Sequence, residues 1–339
     1  MDIGQLVFYF FLIIVCAGIV WQGSFMLEDS ADRLSAFYQL PPIVQGSIVA
    51  AVGSSFPELS STVIATVWHG EFELGISAIV GSAIFNILVV PSLSGIISGN
   101  LNVERVLVYK DAQFYITSIT VLLLAFAFAL IYNPVEGFQW QGRVNRPIAL
   151  IPIALYGLYI FLQQQDVSEA QQDSSPPKDI QLIWQWLRLL FSLGLIAVSV
   201  EGLVRVAIGL GDLLQTPNFL WGLTITAIAT SLPDAFVSIK SAREGNSTIS
   251  LANVLGSNIF DLLIAIPIGV LIAGASTVNF AVAAPMMGIL TVATIALFTM
   301  LRLKLVLSQT ECWILLGLYA AFFLWMVLET FGITNFIQL

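Results

Sequence analysis

The sequence has little charge, almost no histidine and almost no cysteine, and each shortage removes a class of function. Only 10% of its 339 residues are Asp, Glu, Lys or Arg, against about 25% in a typical soluble domain. With 58% hydrophobic residues the chain cannot clothe a water-facing surface, and it reads as a multi-span membrane protein. One histidine and two cysteines supply no soft ligand set for zinc or copper. Cys16 and Cys312 fall in or at the edge of apolar runs without motif spacing, so they read as packing residues rather than a disulfide framework. The 12 basic residues form no cluster, which excludes nucleic acid as a partner, and the net charge of −9 is scattered over loops.

What is present is a series of apolar runs of about 20 residues, the length that crosses a bilayer. They predict an all-α membrane protein with ten transmembrane helices, near 5–26, 41–67, 73–98, 112–132, 146–163, 181–207, 214–241, 248–274, 279–301 and 311–332. The first run follows the acidic flank MDIGQ and lacks a small-residue cleavage site, so it reads as a helix of the mature protein rather than a signal peptide. Nine of the 12 basic residues fall on one side if the N-terminus is outside, which predicts extracytoplasmic termini in a plasma (inner) membrane. The polar stretch QQQDVSEAQQDSSPPKD divides the chain into residues 1–163, a cytoplasmic linker at 164–180, and residues 181–339.

The two parts repeat each other. AVGSSFPELSSTV followed by GISAIVGSAIFNIL recurs as AIATSLPDAFVSI followed by LANVLGSNIFDLL. Glu58 and Asp234 are separated by 176 residues (58 to 234), and Asn86 and Asp261 by 175 (86 to 261). Because each part holds five spans, an odd number, the second copy enters the membrane upside down. Two inverted five-helix repeats are the plan of many secondary transporters.

Pro57 and Pro233 fall inside apolar spans, where proline removes a backbone hydrogen bond and frees carbonyls upstream, those of Gly53 and Ala229 with Ala51 and Ala227 nearby. Glu58 and Asp234 follow directly. Burying a carboxylate in a membrane is costly unless it is paired; Glu58 has no Lys or Arg within a turn, and Lys240 and Arg243 sit at a helix end. Bound cations are the remaining partner. Ser54 and Ser55 precede Glu58 by four and three residues, as Thr230 and Ser231 precede Asp234, so each pair is expected to meet its own carboxylate across one turn. Ser82 precedes Asn86 by four, and Ser257 likewise precedes Asp261. Carboxylate, amide, hydroxyl and carbonyl oxygens suit a hard cation, and a mobile cage of them suits calcium better than magnesium.

At these residues the chain resembles the calcium/cation antiporter superfamily, whose hallmarks are G(T/S)S-x-P-(E/D) in one helix and G-S-(N/x)-I-F-(N/D)-I in the next of each inverted repeat. The Glu and Asp pattern looks most like its potassium-dependent sodium/calcium branch; the G-N-A-x-E-L motif of proton-coupled relatives is absent. The resemblance implies that Glu58 and Asp234 are the central calcium ligands and that Asn86 and Asp261 flank them. Ser54, Ser55, Ser82, Thr230, Ser231, Ser257 and the carbonyls of Ala51 and Ala227 would shape sodium sites around them. It further implies that the first and sixth spans rock against the other eight. Ala229 and Phe56 depart from the pattern, where the family often has Gly and a smaller apolar residue.

The reading is therefore an antiporter, not an enzyme, exchanging calcium for sodium, with potassium a possible companion ion, no resident cofactor, and a monomeric or weakly associating chain in the lipid bilayer. A calcium/proton exchanger of the same fold and a channel are the competing readings. GLGD at 209–212 is similar to an intramembrane aspartyl protease motif, but its Tyr-Asp and P-A-L companions are missing; it is expected to be a loop in which Asp212 caps the next helix. Glu201 is expected to pair with Arg205, one turn away, and His69 to be a plain surface residue.

Overall fold

The structure, a computed structural model, describes residues 3–39, 51–105, 107–167, 181–330 and 332–334. Among them, nine helical stretches are long and apolar enough to cross a membrane. Helix α1 is Ile3–Phe37, and α4 (Phe72–Leu88) continues into α5 (Val90–Ser98). A π-helical turn at Leu107–Asp111 leads into α6 (Ala112–Tyr132), followed by α7 (Arg146–Val167) and α8 (Leu182–Leu214). Short α9 (Asn218–Trp221) and a π turn at Gly222–Thr226 precede α10 (Ala227–Arg243). Helix α11 (Ser247–Phe260), a π turn at Asp261–Ala265 and α12 (Ile266–Ala273) form one span, and α13 (Phe280–Lys304) and α14 (Gln309–Thr330) complete the set. Of the span predicted at 41–67, the described part is α2 (Ala51–Ser54) and α3 (Phe56–Trp68); the rest lies outside the described residues, as does the predicted linker from 168 on.

Helices α1 and α8, with 35 and 33 residues, are about 50 Å long, well beyond a hydrocarbon core of about 30 Å. They pack antiparallel along their length. A Cβ on Gly209 would meet the Tyr9 hydroxyl, one on Gly202 would meet Cys16 Sγ, and one on Gly23 would meet the Ile196 side chain. Small residues thus let the two backbones approach closely. At one end the Arg188 guanidinium closes the pair by donating to Asp29 at 2.5 Å. Phe8, Phe11 and Ile14 on α1 and Phe191 and Val198 on α8 stay exposed, the apolar surface of a helix that faces lipid.

GLGD therefore lies inside α8, not in a loop: Gly209 and Gly211 are contact points, the latter against Asn218 Oδ1. The expected cap by Asp212 is not made; Pro217 occupies the N-cap of α9.

The centre of the bundle is α4–α5, buried along its whole spanning window. Around it, strand β1 (Leu101–Asn102) pairs antiparallel with β4 (Val306–Leu307), Leu101 opposite Leu307, and β2 (Gln141–Asn145) pairs with β3 (Ala275–Asn279), Gln141 opposite Asn279. Simple alternation of spans puts the β1 and β4 loops on one side of the membrane and the β2 and β3 loops on the other. The observed pairing obeys that alternation.

Backbone turns recur at the repeat spacing. Gln39 and Gln215 have φ of 50° and 54°, Gly70 and Gly245 71° and 86°, Gly99 and Gly274 97° and 89°, each pair 175 or 176 positions apart. Left-handed φ is rare for a residue with a side chain, so its appearance at both glutamines marks equivalent places in the two parts.

Candidate ion-binding site

The FPE and LPD segments reach the centre by different backbones. In the first, the helix breaks at Ser55 (φ −93°, ψ 10°), and α3 starts afresh with Phe56 and Pro57 in its opening turn, where proline costs nothing because its N–H would be unpaired. Glu58 thereby stands in the first turn of a 13-residue helix, where free N–H groups and the helix dipole favour negative charge. In the second, α10 runs unbroken through Pro233. Its irregularity lies upstream, where the Ala227 N–H reaches back to the Gly222 carbonyl across the π turn. Both prolines lie inside their spans, but only Pro233 interrupts the hydrogen bonding of a continuous helix; Pro57 opens one.

The companion helices differ too. Asn86 sits in regular α4, three residues before the bend at Val89. Asp261 opens a π turn in which the Ile266 N–H bonds back to the Asp261 carbonyl, ahead of Pro267. Such bulges concentrate at functional sites. Close approach of α4 to α10 depends on Gly81, where a Cβ would fall 2.2 Å from the Leu223 carbonyl oxygen. Gly256, its counterpart, has no described atom within 4 Å of such a Cβ.

Glu58, Asp234, Asn86 and Asp261 are each at most 1% exposed, and the three carboxylates lie close enough to repel one another. Among the described residues none of them forms an ion pair with Lys, Arg or His. Ser82 Oγ donates to Glu58 Oε1 at 3.3 Å. Asn86 Nδ2 donates to Asp234 Oδ2 at 3.2 Å. Ser231 Oγ lies 2.7 Å from Ser82 Oγ, while Ser54 and Ser55 meet Ser257 Oγ at 3.1 and 3.0 Å.

Sequence spacing placed Ser54 and Ser55 on Glu58, and Thr230 and Ser231 on Asp234; the structure crosses Ser54, Ser55 and Thr230 over, while Ser231 meets Ser82 and the Ala227 carbonyl. Ser54 and Ser257 sit beside Asp234, Ser55 beside Asp261, and Thr230 beside Glu58. The break at Ser55 rotates the two serines off the Glu58 face, and the packing of α10 against α3 and α4 brings Ser54, Ser55 and Thr230 to acids of the other part, while Ser82 and Ser257 stay beside acids of their own. The Thr230 hydroxyl also lies within hydrogen-bond reach of the carbonyls of Thr226 and Ala227, at 3.1 and 3.3 Å. Ala227 O also accepts from Ser231 at 2.7 Å, so it is engaged by side chains rather than bare. Ala51 is the first residue of α2.

Five oxygens of this set, Glu58 Oε2, Asn86 Oδ1, Asp234 Oδ1 and both of Asp261, are buried without a hydrogen-bond partner among the described residues. Unsatisfied buried oxygens are expensive, and a cation coordinated by them removes the cost. No three acidic, His or Cys side chains among the described residues gather as a metal cluster on their own. Amide and hydroxyl oxygens must complete the shell, as expected for calcium or sodium.

Sequence reasoning missed Asn258 and Tyr115, both fully buried. Asn258 Oδ1 accepts from Asn86 Nδ2 at 3.1 Å, and Asn258 Nδ2 donates to Ala83 O at 3.3 Å and to the Tyr115 hydroxyl at 3.1 Å. The available signal was a polar residue where the first copy has Ala83. His69, expected on the surface, instead holds Glu201 Oε2 at 2.9 Å, because α8 runs past the α3–α4 loop; the expected Glu201–Arg205 pair is present.

Known proteins are similar to this chain in sequence and fold. The family model described as sodium/calcium exchanger protein matches residues 8–164 and 184–328. The putative antiporter CaxA of Alkalimonas amylolytica is 27% identical over 294 residues, 85% of this chain and 90% of that one. The crystal structure of the H+/Ca2+ exchanger CAX superposes with a TM-score of 0.69 at 16% identity, covering 95% of this chain and 81% of that one. The sodium-calcium exchanger NCX_Mj does so with a TM-score of 0.56 at 25% identity, covering 93% and 96%. With the family model spanning both copies of the motif and the fold matched over nearly its whole length, the chain belongs to the sodium/calcium exchanger protein family.

Proposed function

We propose that this protein is a secondary active antiporter that exchanges calcium for sodium by alternating access, with Glu58 and Asp234 as central ligands. Asn86, Asp261, Ser54, Ser55, Ser82, Thr230, Ser231, Ser257 and the carbonyls of Ala51 and Ala227 surround them. The observation that carries this reading is the set of three buried carboxylates with no basic partner among the described residues, since net charge at the membrane centre demands a counter-ion. One calcium leaves one of three negative charges over. A potassium ion beside calcium, or a proton on Asp261, neutralises it; three sodium ions neutralise all three.

The repeat spacing of left-handed turns and the antiparallel packing of α1 on α8 support two inverted five-helix repeats at 1–163 and 181–339. In this reading α1 and α8 slide together as the moving pair. A reporter cysteine at Gly137, on the β2 side, is expected to react with impermeant thiol reagents on intact cells, and one at Ser168 to be shielded; the opposite pattern reverses the proposed orientation.

Calcium/proton exchange is the second reading, favoured by Asp261, a third buried carboxylate whose oxygens have no hydrogen-bond partner among the described residues, as suits a carboxyl that takes up a proton. Calcium uptake into reconstituted vesicles, driven in turn by an outward sodium gradient, a pH step or neither, separates the readings. Uptake only with the sodium gradient is expected. Uptake only with the pH step establishes proton coupling, and uptake with neither establishes a channel.

A further inference from the structure

Asn86 offers a cation one oxygen and one nitrogen, and only the oxygen is a ligand. Which of them faces the centre is decided elsewhere. The Ala83 carbonyl can only accept, so the Asn258 atom 3.3 Å from it is the amide nitrogen. That nitrogen gives its second hydrogen to the Tyr115 hydroxyl. Tyr115 must then direct its own hydrogen elsewhere, and Thr294 lies beside it. Thr294 spends its hydrogen on the Leu290 carbonyl at 2.7 Å, which leaves its oxygen able to accept. The Asn258 amide therefore has one orientation, set by the Ala83 carbonyl.

The consequence reaches the site. With its nitrogen committed to α4 and α6, Asn258 turns Oδ1 toward Asn86, and the Asn86 atom at 3.1 Å must be nitrogen. The other hydrogen of that nitrogen goes to Asp234 Oδ2. Asn86 Oδ1 is left buried with no partner among the described residues, presented as an acceptor. We infer that Asn258, held by Tyr115 and the Ala83 carbonyl, is a positioning residue that fixes the Asn86 amide with its oxygen toward the transported cation. This rests on the reading of Asn86 as an ion ligand given above. A buried amide free to turn would show its nitrogen to the ion part of the time, and the hydrogen-bond chain spanning α6, α11, α4 and α10 prevents that.

The test is calcium binding by the purified full chain in detergent, with radiolabelled calcium, in a double-mutant cycle. Asn258→Leu, close in volume, is expected to weaken calcium binding about tenfold, the effect of losing one oriented ligand. In an Asn86→Asp background the same change is expected to leave affinity unaltered or to tighten it. A carboxylate presents oxygen whichever way it turns, and Asn258 Oδ1 would repel it. Equal weakening in both backgrounds would mean that Asn258 only packs, and would overturn the proposal. Tyr115→Phe gives a second, milder probe: about threefold weakening in the native background and none once Asn258 is Leu, with additive losses again counting against the relay. Glu58→Gln is measured alongside. If it binds calcium like the native protein, the ion site itself is wrong; if it fails to bind while Asn258→Leu binds normally, the relay alone is wrong.

Discussion

The two copies of the motif share a spacing and differ in backbone and charge, and the difference shows how a duplicated site divides its work. The first copy brings one acid and one amide, Glu58 and Asn86; the second brings two acids, Asp234 and Asp261. Glu58 begins a helix and draws on its dipole, whereas Asp234 sits within a continuous helix and relies on side chains, with Asn86 donating to it. The regular helix carries the amide and the π-bulged one carries the extra acid. Because Ser54, Ser55 and Thr230 cross over, neither copy holds a complete site, and neither is expected to bind an ion alone.

The largest effects should come from removing either central charge. Glu58→Gln and Asp234→Asn are each expected to lower sodium-driven calcium uptake by at least about a hundredfold, the scale of breaking a buried charge interaction, with the protein still inserted. Native-like flux in either would break the equivalence of the two acids. Asp261→Asn makes the second copy resemble the first. It is expected to retain calcium binding within about tenfold and to abolish any stimulation by potassium, measured as uptake with and without that ion. Surviving potassium stimulation would place the companion cation elsewhere.

A packing contrast sharpens the comparison at lower cost. Gly81→Ala drives a methyl into the Leu223 carbonyl and is expected to destabilise the purified protein by about 1–3 kcal/mol. Gly256→Ala meets no described atom and is expected to stay within about 0.5 kcal/mol, both read as thermal midpoints. The smallest effect is expected from Glu201→Gln, which leaves the centre untouched and removes the charge that faces His69 and Arg205, about 1 kcal/mol or less for partly exposed pairs.

Much of this was legible without coordinates. Hydrophobic run length is a property of composition along the chain, and it placed the spans with most ends within a few residues, because the bilayer sets the length of every helix that crosses it. The exceptions were α1 and α8, which outrun the apolar core because they support each other through small-residue contacts that hydropathy does not register. Buried carboxylates without basic neighbours were equally visible, since their cost depends on burial and charge alone. The choice of Glu58, Asp234, Asn86 and Asp261 as neighbours followed from the repeat.

What only the tertiary structure decided was who serves whom. Spacing along one helix predicted that serines and threonine would attend their own carboxylate, but a helix broken at Ser55 no longer projects its side chains on a 3.6-residue period across the break. Ser54, Ser55 and Thr230 found the acids of the other copy through helix crossings that no local pattern encodes. Asn258 shows the same limit. Its place inside the GSNIFD motif marks it as notable without saying what it does, and its position between Ala83, Tyr115 and Asn86 exists only once three helices from both parts of the chain have packed together.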